Sequence, residues 1–347
     1  MNIRENVPLA PLTTFQVGGP ARWFVEAATE ADVRAAVGYA ADQKLTLFVL
    51  GGGSNLVVSD NGFPGLVLKI ALRGIAESDS DGKRIFDAAA GEDWDGLVAL
   101  AVSRDCAGLE CLSGIPGTVG GTPVQNVGAY GQEVADTISS VRVLDTAGGE
   151  ITDLSNSDAG FTYRSSIFNS AQRGRYIVLR VTYALSPGAP PRIEYADLKQ
   201  FFEGKSEPTL AQTREAVRQI RLSKAMLLAP GDEDSRSAGS FFKNPIISST
   251  EYARIAGIVA ARGVKPPSYP APDGRVKLAA AWLVEESGFS KGYTRGPAGI
   301  SRRHALAIVN RGGATAADII ALKDEIQQRV FDAFGLRLQP EPVFVGF

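Results

Sequence analysis

The sequence predicts an α+β protein of two or three domains. The chain has 347 residues, and globular domains take roughly 150 residues each. Strand and helix patterns alternate along the chain and are interrupted by two glycine-rich loops. A long amphipathic helix and a short strand end the sequence. Hydrophobic residues make up 44% and charged residues 21%, as is ordinary for a globular protein.

The N-terminal elements form a strand–helix–strand pattern over residues 24–70. Thr29 can cap a helix over Glu30 to Gln43, whose apolar residues recur at helical spacing. Leu45 to Leu50 is a short apolar strand that runs directly into Gly51–Gly53. Ligands bind open α/β sheets at such strand ends. Further strands are predicted at Val57-Val58 and at Leu66 to Ile70.

Residues 75–205 are predicted as α+β with substantial antiparallel pairing. Asp93 to Arg104 has a helical pattern. Val141 to Ile151 is typical of a hairpin with a glycine turn. Tyr176 to Leu185 alternates as a strand.

In the C-terminal part of the sequence, helices are predicted mainly from the capping residues at their starts and ends. Thr209 and Gln212 form a capping box for a helix that ends near Ser223. Glycine after the last apolar position closes two further helices. Loops rich in glycine and proline between these elements have the composition of mobile or binding segments. The predicted elements are helices over Lys277 to Ser287 and Thr315 to Phe334, a strand over Pro342 to Phe347, binding or mobile loops near 231–239 and 266–272, and a candidate mobile flap over 227–236.

Composition excludes several classes of function. The net charge of −2 gives no electrostatic basis for binding nucleic acid. No apolar run approaches the length of about 20 residues that crosses a bilayer. The start of the chain lacks the pattern of a signal peptide. Cys106 and Cys111 are predicted to be reduced core residues. These features suit a cytoplasmic protein.

Familiar catalytic and nucleotide motifs are also missing. The one histidine, His304, leaves no histidine-rich metal site, and a Ser-His-Asp triad would depend on it. Gly204-Lys205-Ser206 ends like a P-loop, but Lys199 stands where its first glycine belongs. Gly51–Gly53 begins like a dinucleotide fingerprint, but Leu56 occupies the third glycine position.

The stretch from Gly114 to Gly131 contains six glycines, two prolines and no charge. It is too rich in glycine for an ordinary helix and lacks the alternation of a strand. Backbone N–H groups in such a loop can form a nest for a phosphate. The alternative is a structural crossover between two domains.

Three clusters place polar side chains in apolar or glycine-rich surroundings. Arg164 lies among aromatic residues, where a guanidinium group can stack and still bind a carboxylate. Ser240 precedes two phenylalanines and then Lys243-Asn244, as a hydroxyl beside an anion site would. Glu341 lies between two prolines that restrict its backbone. The alternatives are a surface arginine, a turn before a strand, and the start of an edge strand.

In order and spacing, these clusters and loops resemble the UDP-N-acetylenolpyruvoylglucosamine reductase family, also called UDP-N-acetylmuramate dehydrogenases. The resemblance runs nearly end to end. It is carried by Leu12–Phe15, Leu50–Leu56, the loop from Gly114, Tyr163–Phe168, Gly239–Pro245, Lys277–Leu283 and Pro340-Glu341.

The resemblance implies a two-part FAD-binding domain of the vanillyl-alcohol-oxidase type and a C-terminal α/β substrate-binding domain. The implied boundaries are 1–74, 75–223 and 224–347, with FAD bound within about 17–185. Backbone N–H groups of the two loops would hold the FAD pyrophosphate and ribityl chain. The implied FAD contacts are Gly51, Gly52, Gly53, Ser54, Asn55, Gly114, Ile115, Pro116, Gly117, Thr118, Gly120, Gly121, Gln125, Asn126 and Gly128.

The reaction implied by the resemblance is reduction of an enolpyruvyl ether on a UDP-sugar to a lactyl ether in peptidoglycan synthesis. NADPH reduces the flavin and leaves, the UDP-sugar enters, and a hydride from flavin N5 adds to its double bond. Negative charge then accumulates on the neighbouring carboxylate. By similarity, Arg164 and Glu341 stabilise this charge, and Ser240 donates the proton.

The same similarity places five residues at or near the substrate: Tyr195, Lys224, Asn244, Tyr269 and His304. Tyr195 assigns the chain to the branch with a substrate-covering tyrosine loop. Two positions depart from the family pattern, since Gln339 replaces a frequent glutamate and His304 an expected glutamine. His304 is therefore open to a second interpretation, as a pocket-wall residue.

Two other functions remain as alternatives. One is a related flavin-dependent oxidase of another hydroxylated substrate, which would not need a protonating serine such as Ser240. The other is a nucleotide-sugar binding protein without turnover. The presence of Arg164, Ser240 and Glu341 together argues against it.

Overall fold

A computed structural model describes every residue from Met1 to Phe347. It contains both helices and strands in quantity, so the predicted α+β class is confirmed. No helix has the length and apolar character needed to cross a bilayer. The strands are β1 (Arg4–Pro8), β2 (Pro20–Ala27), β3 (Leu47–Leu50), β4 (Leu56–Val58), β5 (Phe63–Ile70), β6 (Ile75–Ser80), β7 (Lys83–Ala89), β8 (Cys106–Ala107), β9 (Gly128–Ala129), β10 (Gln132–Glu133), β11 (Ile138–Asp145), β12 (Ile151–Ser155), β13 (Tyr176–Pro187), β14 (Ile246–Ile247), β15 (Ser268–Pro270), β16 (Val276–Leu278), β17 (Thr294–Arg295), β18 (Ala298–Ile300), β19 (Ile308–Asn310) and β20 (Val343–Val345).

Three of the predicted helices begin at the threonine residues where the sequence predicts them to start. Thr29 and Thr315 each accept a backbone N–H at the start of a helix in a complete capping box. Thr209 and Gln212 form the predicted box as well. The helices are α1 (Glu30–Asp42), α2 (Trp94–Ser103), α3 (Ala196–Phe202), α4 (Leu210–Ser223), α5 (Ser249–Ala260), α6 (Ala280–Glu286) and α7 (Ala316–Phe334).

The chain divides into two compact units. Unit 1 contains Met1–Val7, Ala21–Gly53 and Phe63–Ser223. Its first sheet has the order β1-β2-β5-β3, and β5 pairs in parallel with β2 and β3. Its second sheet has the antiparallel order β12-β11-β13-β7-β6, with β8 added to β13. The predicted hairpin is β11–β12. In the core, the Trp94 indole donates to the Leu112 carbonyl at 3.1 Å.

Unit 2 contains Pro8–Pro20, Ser54–Gly62 and Lys224–Phe347. Two antiparallel sheets have the orders β14-β16-β15 and β17-β18-β19, while β20 pairs in parallel with β4. The predicted domain 1–74 therefore supplies two segments to this unit. The core includes one apolar face of α7, which is formed by the buried residues Ile319, Leu322, Ile326, Val330 and Phe334.

The helix predicted over Lys277 to Ser287 is shorter than expected. Val276–Leu278 instead pairs as β16 with both β14 and β15. The helix starts at Ala280, whose N–H donates to Asn244 Oδ1 at 2.9 Å. The strand is specified by its pairing partners rather than by its own apolar pattern, which also suits a helix.

The cysteines are free and buried, as predicted. Cys106 lies in β8 and Cys111 in a short 3-10 turn, so neither is on α2. Burial raises the pKa of both thiols. They are therefore poor nucleophiles.

Candidate active site

The glycine loop that follows β3 lies directly against the long glycine loop in unit 1. A Cβ added to Gly52 would lie 2.5 Å from the Gly117 Cα, and one added to Gly51 would lie 3.0 Å from Thr118 Oγ1. The loops therefore approach backbone to backbone, and Gly52 has no room for a side chain. The Lys69 ammonium group donates to the Gly51 carbonyl and holds this turn.

The long loop is fixed at its start by Asp95 of α2. Asp95 Oδ1 accepts the Gly114 N–H at 2.6 Å. Its carboxylate also accepts bonds from Arg214 at 2.6 and 2.9 Å and from Arg218 at 2.6 Å. Burial by itself would raise the pKa of Asp95, but these hydrogen bonds and charges hold it below its usual value. The carboxylate that anchors the loop is thus ionised at neutral pH.

The middle of the long loop packs closely on unit 1 and presents an unused hydroxyl group. The Gly120 N–H donates to the Ala90 carbonyl at 2.9 Å. Thr118 Oγ1 is buried and has no hydrogen-bond partner within the protein. A buried polar atom without a partner costs about 1–3 kcal/mol. A polar ligand at the two loops would satisfy this hydroxyl, and FAD fits that requirement.

The other residues expected to contact FAD differ in exposure and in the unit they belong to. Ser54 and Asn55 lie in unit 2. There, Asn55 Nδ2 donates to the Glu341 carbonyl at 3.2 Å. In the long loop, Ile115, Pro116, Gly117, Gly120, Gln125 and Gly128 are half-buried, and Gly121 is exposed.

Arg164 occupies a tight turn of unit 1 and has a left-handed backbone, with φ 55°. Thr162 and Ser165 close the turn through backbone hydrogen bonds of 2.9 and 3.1 Å. The Arg164 guanidinium carbon lies 5.6 Å from the centre of the Tyr163 ring. A Cβ on Gly128 would lie 3.2 Å from Arg164 Nη1, so the guanidinium group rests against the long loop.

Asn126 joins the long loop to the Arg164 turn. Its side chain is buried, and Nδ2 donates to Glu133 Oε2 at 2.7 Å and to the Thr162 carbonyl at 3.1 Å. Its Oδ1 accepts the Ala135 N–H at 3.1 Å. Both amide hydrogens are therefore used within the protein, and the side chain has none left for a cofactor.

Tyr195 immediately precedes α3 in unit 1 and is 44% exposed. Its ring packs edge to face on that of Tyr130 in the long loop, with centroids 5.4 Å apart. Burial raises the pKa of Tyr130 to about 12, although the neighbouring Arg221 lowers it. Tyr195 thus contacts the long loop and keeps a large exposed face.

Ser240 and Glu341 are brought together in unit 2 by an irregular antiparallel pairing of their segments. The Lys243 N–H donates to the Gln339 carbonyl at 3.0 Å, and the Glu341 N–H donates to the Phe241 carbonyl at 2.8 Å. Phe242 and Pro340 form the bridge between these bonds. Two clusters that are about a hundred residues apart in the sequence are therefore neighbours in the fold.

The backbone is fixed on both sides of Ser240 by hydrogen bonds and by packing. Gly239 has φ 72° and donates its N–H to Ser237 Oγ at 3.2 Å. Thr14 Oγ1 donates to the Ser237 carbonyl at 2.6 Å. After Ser240, Phe241 is fully buried and its ring lies 6.1 Å from that of Phe15. These contacts join the Thr14-Phe15 segment to the segment that carries Ser240.

His304 is a mostly buried, neutral imidazole close to Lys224. Its Nδ1 accepts the Leu306 N–H at 3.1 Å, and the Leu306 carbonyl accepts the Phe241 N–H at 2.8 Å. Burial, and then the charges of Lys224 and Lys291, lower its pKa to about 4. The remaining proton is therefore on Nε2, which can donate one hydrogen bond.

The last two expected substrate residues lie on the β14-β16-β15 side of unit 2. Asn244 uses Oδ1 to cap α6, which leaves its amide hydrogens for other partners. Tyr269 lies on β15 and is 53% exposed. Its ring centre is 5.9 Å from the ammonium nitrogen of Lys277.

Asp234 is a structural centre that the sequence did not reveal. The carboxylate is buried and accepts bonds from Ser301 Oγ at 3.1 Å and the Arg302 N–H at 2.8 Å. Arg311 Nη1 lies 3.8 Å from it. The segment before Ser240, expected to be a binding or mobile loop, is thereby tied to the β18–β19 hairpin. An aspartate in a glycine-containing loop carries no sequence signal for this role.

Two family models match the chain. Residues 21–155 match an FAD-binding domain, and residues 230–345 match the C-terminal domain of UDP-N-acetylenolpyruvoylglucosamine reductase. A reductase of that name from Streptomyces coelicolor is 48% identical, and the match covers 99% of this chain and 90% of the relative. The chain belongs to this reductase family.

Other members of the reductase family are similar over nearly their full length. The Thermobifida fusca protein is 46% identical, with 99% of this chain and 98% of the relative covered. The Mycobacterium tuberculosis protein is 44% identical, with 99% and 96% covered. The crystal structure of the Thermus caldophilus reductase has a TM-score of 0.66 and 28% identity, with 99% and 100% covered. This chain is therefore an oxidoreductase with an FAD-binding domain and the C-terminal domain of that family.

Proposed function

We propose that this chain reduces UDP-N-acetylenolpyruvoylglucosamine to UDP-N-acetylmuramate, with NADPH as the reductant, in the synthesis of peptidoglycan precursors. Bound FAD would take electrons from NADPH and pass them to the enolpyruvyl double bond. The observation that carries the proposal is the pairing of the Ser240 and Glu341 segments. It gives unit 2 a hydroxyl group and a carboxyl group on neighbouring backbones.

Ser240 is the proton donor in this proposal. Reduction of the double bond leaves negative charge on the substrate carboxylate and requires a proton at the adjacent carbon. A hydroxyl is a weak acid, so it can act only on a strongly basic intermediate or with proton resupply from water. The fixed backbone on both sides of Ser240 supports a role that depends on accurate placement.

Arg164 and Glu341 stabilise the charge that develops on the substrate carboxylate. A guanidinium group offers a planar pair of donors to that carboxylate. To donate a hydrogen bond to this anion, the Glu341 carboxyl group must be protonated. Both interactions strengthen as charge accumulates, which is the condition for accelerating the reaction.

The five expected substrate residues supply binding and cover. Lys224 gives a positive charge to the diphosphate, and neutral His304 gives an Nε2–H donor beside it. Asn244 keeps its amide hydrogens after capping α6. Tyr195 and Tyr269 both present exposed rings, as residues that cover a ligand would.

Replacement of Ser240 tests the proposal. Ser240→Ala should leave anaerobic bleaching of the flavin by NADPH unchanged and slow its reoxidation by the UDP-sugar by about 100-fold or more, as for a lost general acid. Stopped-flow flavin absorbance measures both half-reactions. Ser249→Ala, at an exposed serine of the same unit, is the control and should change neither.

Three outcomes would overturn the proposal. Equal loss in both half-reactions would remove Ser240 from its role. Faster reoxidation by oxygen than by the UDP-sugar would favour an oxidase. Binding of the UDP-sugar without any flavin that NADPH bleaches would favour a binding protein.

A further inference from the structure

The turn that presents Arg164 is held by side-chain amides on both sides. Asn126 Nδ2 donates to the Thr162 carbonyl at 3.1 Å, and Asn169 Nδ2 donates to the Arg164 carbonyl at 3.2 Å. These are the carbonyl groups two residues before Arg164 and at Arg164 itself. Left-handed backbone is unfavourable for arginine and persists only where surrounding contacts enforce it. The two amides supply such contacts.

We infer that Asn126 and Glu133 are positioning residues for Arg164, an inference that rests on the role proposed for Arg164 above. Asn126 also has left-handed backbone, with φ 45°, a conformation that asparagine tolerates better than most residues. Glu133 Oε2 accepts one Asn126 amide hydrogen at 2.7 Å and so leaves the other directed at Thr162. Ala135 fixes the amide oxygen through its N–H.

Gly128 provides the space that this arrangement needs. A Cβ there would lie 2.8 Å from Glu133 Cγ and 3.2 Å from Arg164 Nη1. The Glu133 stem and the Arg164 guanidinium group therefore flank the same glycine. The backbone of Gly128 is not left-handed. Glycine is therefore needed here because a side chain would not fit, and not because of the backbone conformation.

Asn126 and Glu133 should affect the rate of flavin reoxidation more than the affinity for the UDP-sugar. A guanidinium fork stabilises a developing carboxylate charge only when both donors are aimed at it. A loosened turn keeps the positive charge nearby and so preserves much of the substrate affinity. It loses the alignment that the transition state requires.

Asn126→Asp and Asn156→Asp form a matched pair of variants that tests the inference. Asn156 also donates both amide hydrogens to backbone carbonyls, those of Ala135 and Ile138, but makes no hydrogen bond to Asn126 or to the Arg164 turn. Both variants should lower the melting temperature of the FAD-loaded enzyme. Only Asn126→Asp should slow flavin reoxidation by the UDP-sugar, by about ten-fold or more in rate with little change in half-saturation, while NADPH bleaching is unchanged.

Further variants keep the test decisive if the aspartate disturbs folding. Asn126→Gly suits a left-handed backbone and should show the same selective loss. Glu133→Gln, which retains an oxygen to accept the Asn126 N–H, should be near wild type, whereas Glu133→Ala should resemble Asn126→Gly. Combined with Arg164→Ala, Asn126→Gly should cause no further loss.

The outcomes separate this inference from the proposed function. If Arg164→Ala leaves reoxidation intact, the role of Arg164 itself is wrong. If Arg164→Ala slows reoxidation but Asn126→Gly does not, or if their effects add fully, the positioning role is wrong. Equal slowing of flavin reoxidation in Asn126→Asp and Asn156→Asp would also overturn the positioning role.

Discussion

Backbone conformation at single residues shapes the candidate site. Arg164, Asn126 and Gly239 all have left-handed φ angles. Residue type favours this conformation at Gly239 and, more weakly, at Asn126, but not at Arg164. Neighbouring aromatic and glycine residues marked Arg164 and Ser240 as candidates in the sequence, and the family resemblance supplied their expected roles. The strained backbone at Arg164 was not predictable, because it depends on hydrogen bonds from Asn126 and Asn169, residues whose partners no local pattern specifies.

The chain's single histidine should titrate far below its usual range. Burial, and then the charges of Lys224 and Lys291, lower the pKa of His304 from 6.5 to about 4. Between these pH values the unfolded chain binds a proton that the folded chain does not. Stability is thus independent of His304 above about pH 6.5 and falls by roughly 3 kcal/mol as the pH approaches 4.

NMR titration of the imidazole ring protons measures this pKa directly, because the chain has one histidine. In urea denaturation, His304→Gln should reduce the loss of unfolding free energy between about pH 7 and about pH 4.5. A ring pKa near its ordinary value would show that His304 is hydrated rather than buried beside the two lysines.

At the scale of elements, capping residues predicted where three helices start, whereas features that depend on tertiary contacts were not predictable from the sequence. α1, α4 and α7 start at the predicted caps because those bonds join residues three apart. The strand β16 was predicted as helix, since its two partners lie in other segments. The anchoring of the long loop by α4 was also hidden, as Asp95 and Arg214 are far apart in sequence.

Asp95→Asn tests whether the contact between α2 and α4 holds the long glycine loop in a conformation that binds FAD. Loss of the charged bonds to Arg214, Arg218 and Gly114 should reduce the free energy of unfolding by about 2 kcal/mol. It should also weaken FAD binding several-fold, because the loop entrance is released. Urea denaturation and fluorescence titration with FAD measure the two effects.

Asp145→Asn is the matched control for Asp95→Asn. Asp145 likewise accepts an arginine bond, from Arg175 at 2.9 Å, and a backbone N–H, from Ala147 at 2.9 Å, but at the β11–β12 turn. The Asp145→Asn variant should have a lower free energy of unfolding but an unchanged affinity for FAD. Equal FAD affinity in the two variants would mean that Asp95 supports the fold alone.

For the whole molecule, the main feature hidden in the sequence is that unit 2 is discontinuous. The resemblance placed the start of the substrate-binding domain at residue 224, and the C-terminal segment of unit 2 runs from Lys224 to Phe347. Its other segments, 8–20 and 54–62, join it through pairings of very long sequence separation. β4 pairs with β20, and Phe15 packs on Phe241. An apolar strand pattern does not indicate which strand it pairs with. A linear division of the sequence therefore could not assign the segments 8–20 and 54–62 to unit 2.

A fragment that spans 224–347 should therefore fail to form the native unit 2. It lacks β4, the strand that pairs with β20, and it lacks Phe15, whose removal from a core alone costs about 3–5 kcal/mol. It also lacks Asp60, which accepts the Ala316 and Ala317 N–H groups at the start of α7 at 2.7 and 3.0 Å. Because a domain of this size has a total stability of only about 5–15 kcal/mol, these losses together should abolish cooperative unfolding. Circular dichroism on heating measures this, with the full chain as the reference and the full-length Phe15→Ala variant as a control that loses stability but keeps a single sharp transition. A sharp transition in the fragment would show that the segments 8–20 and 54–62 merely cover a unit that folds without them.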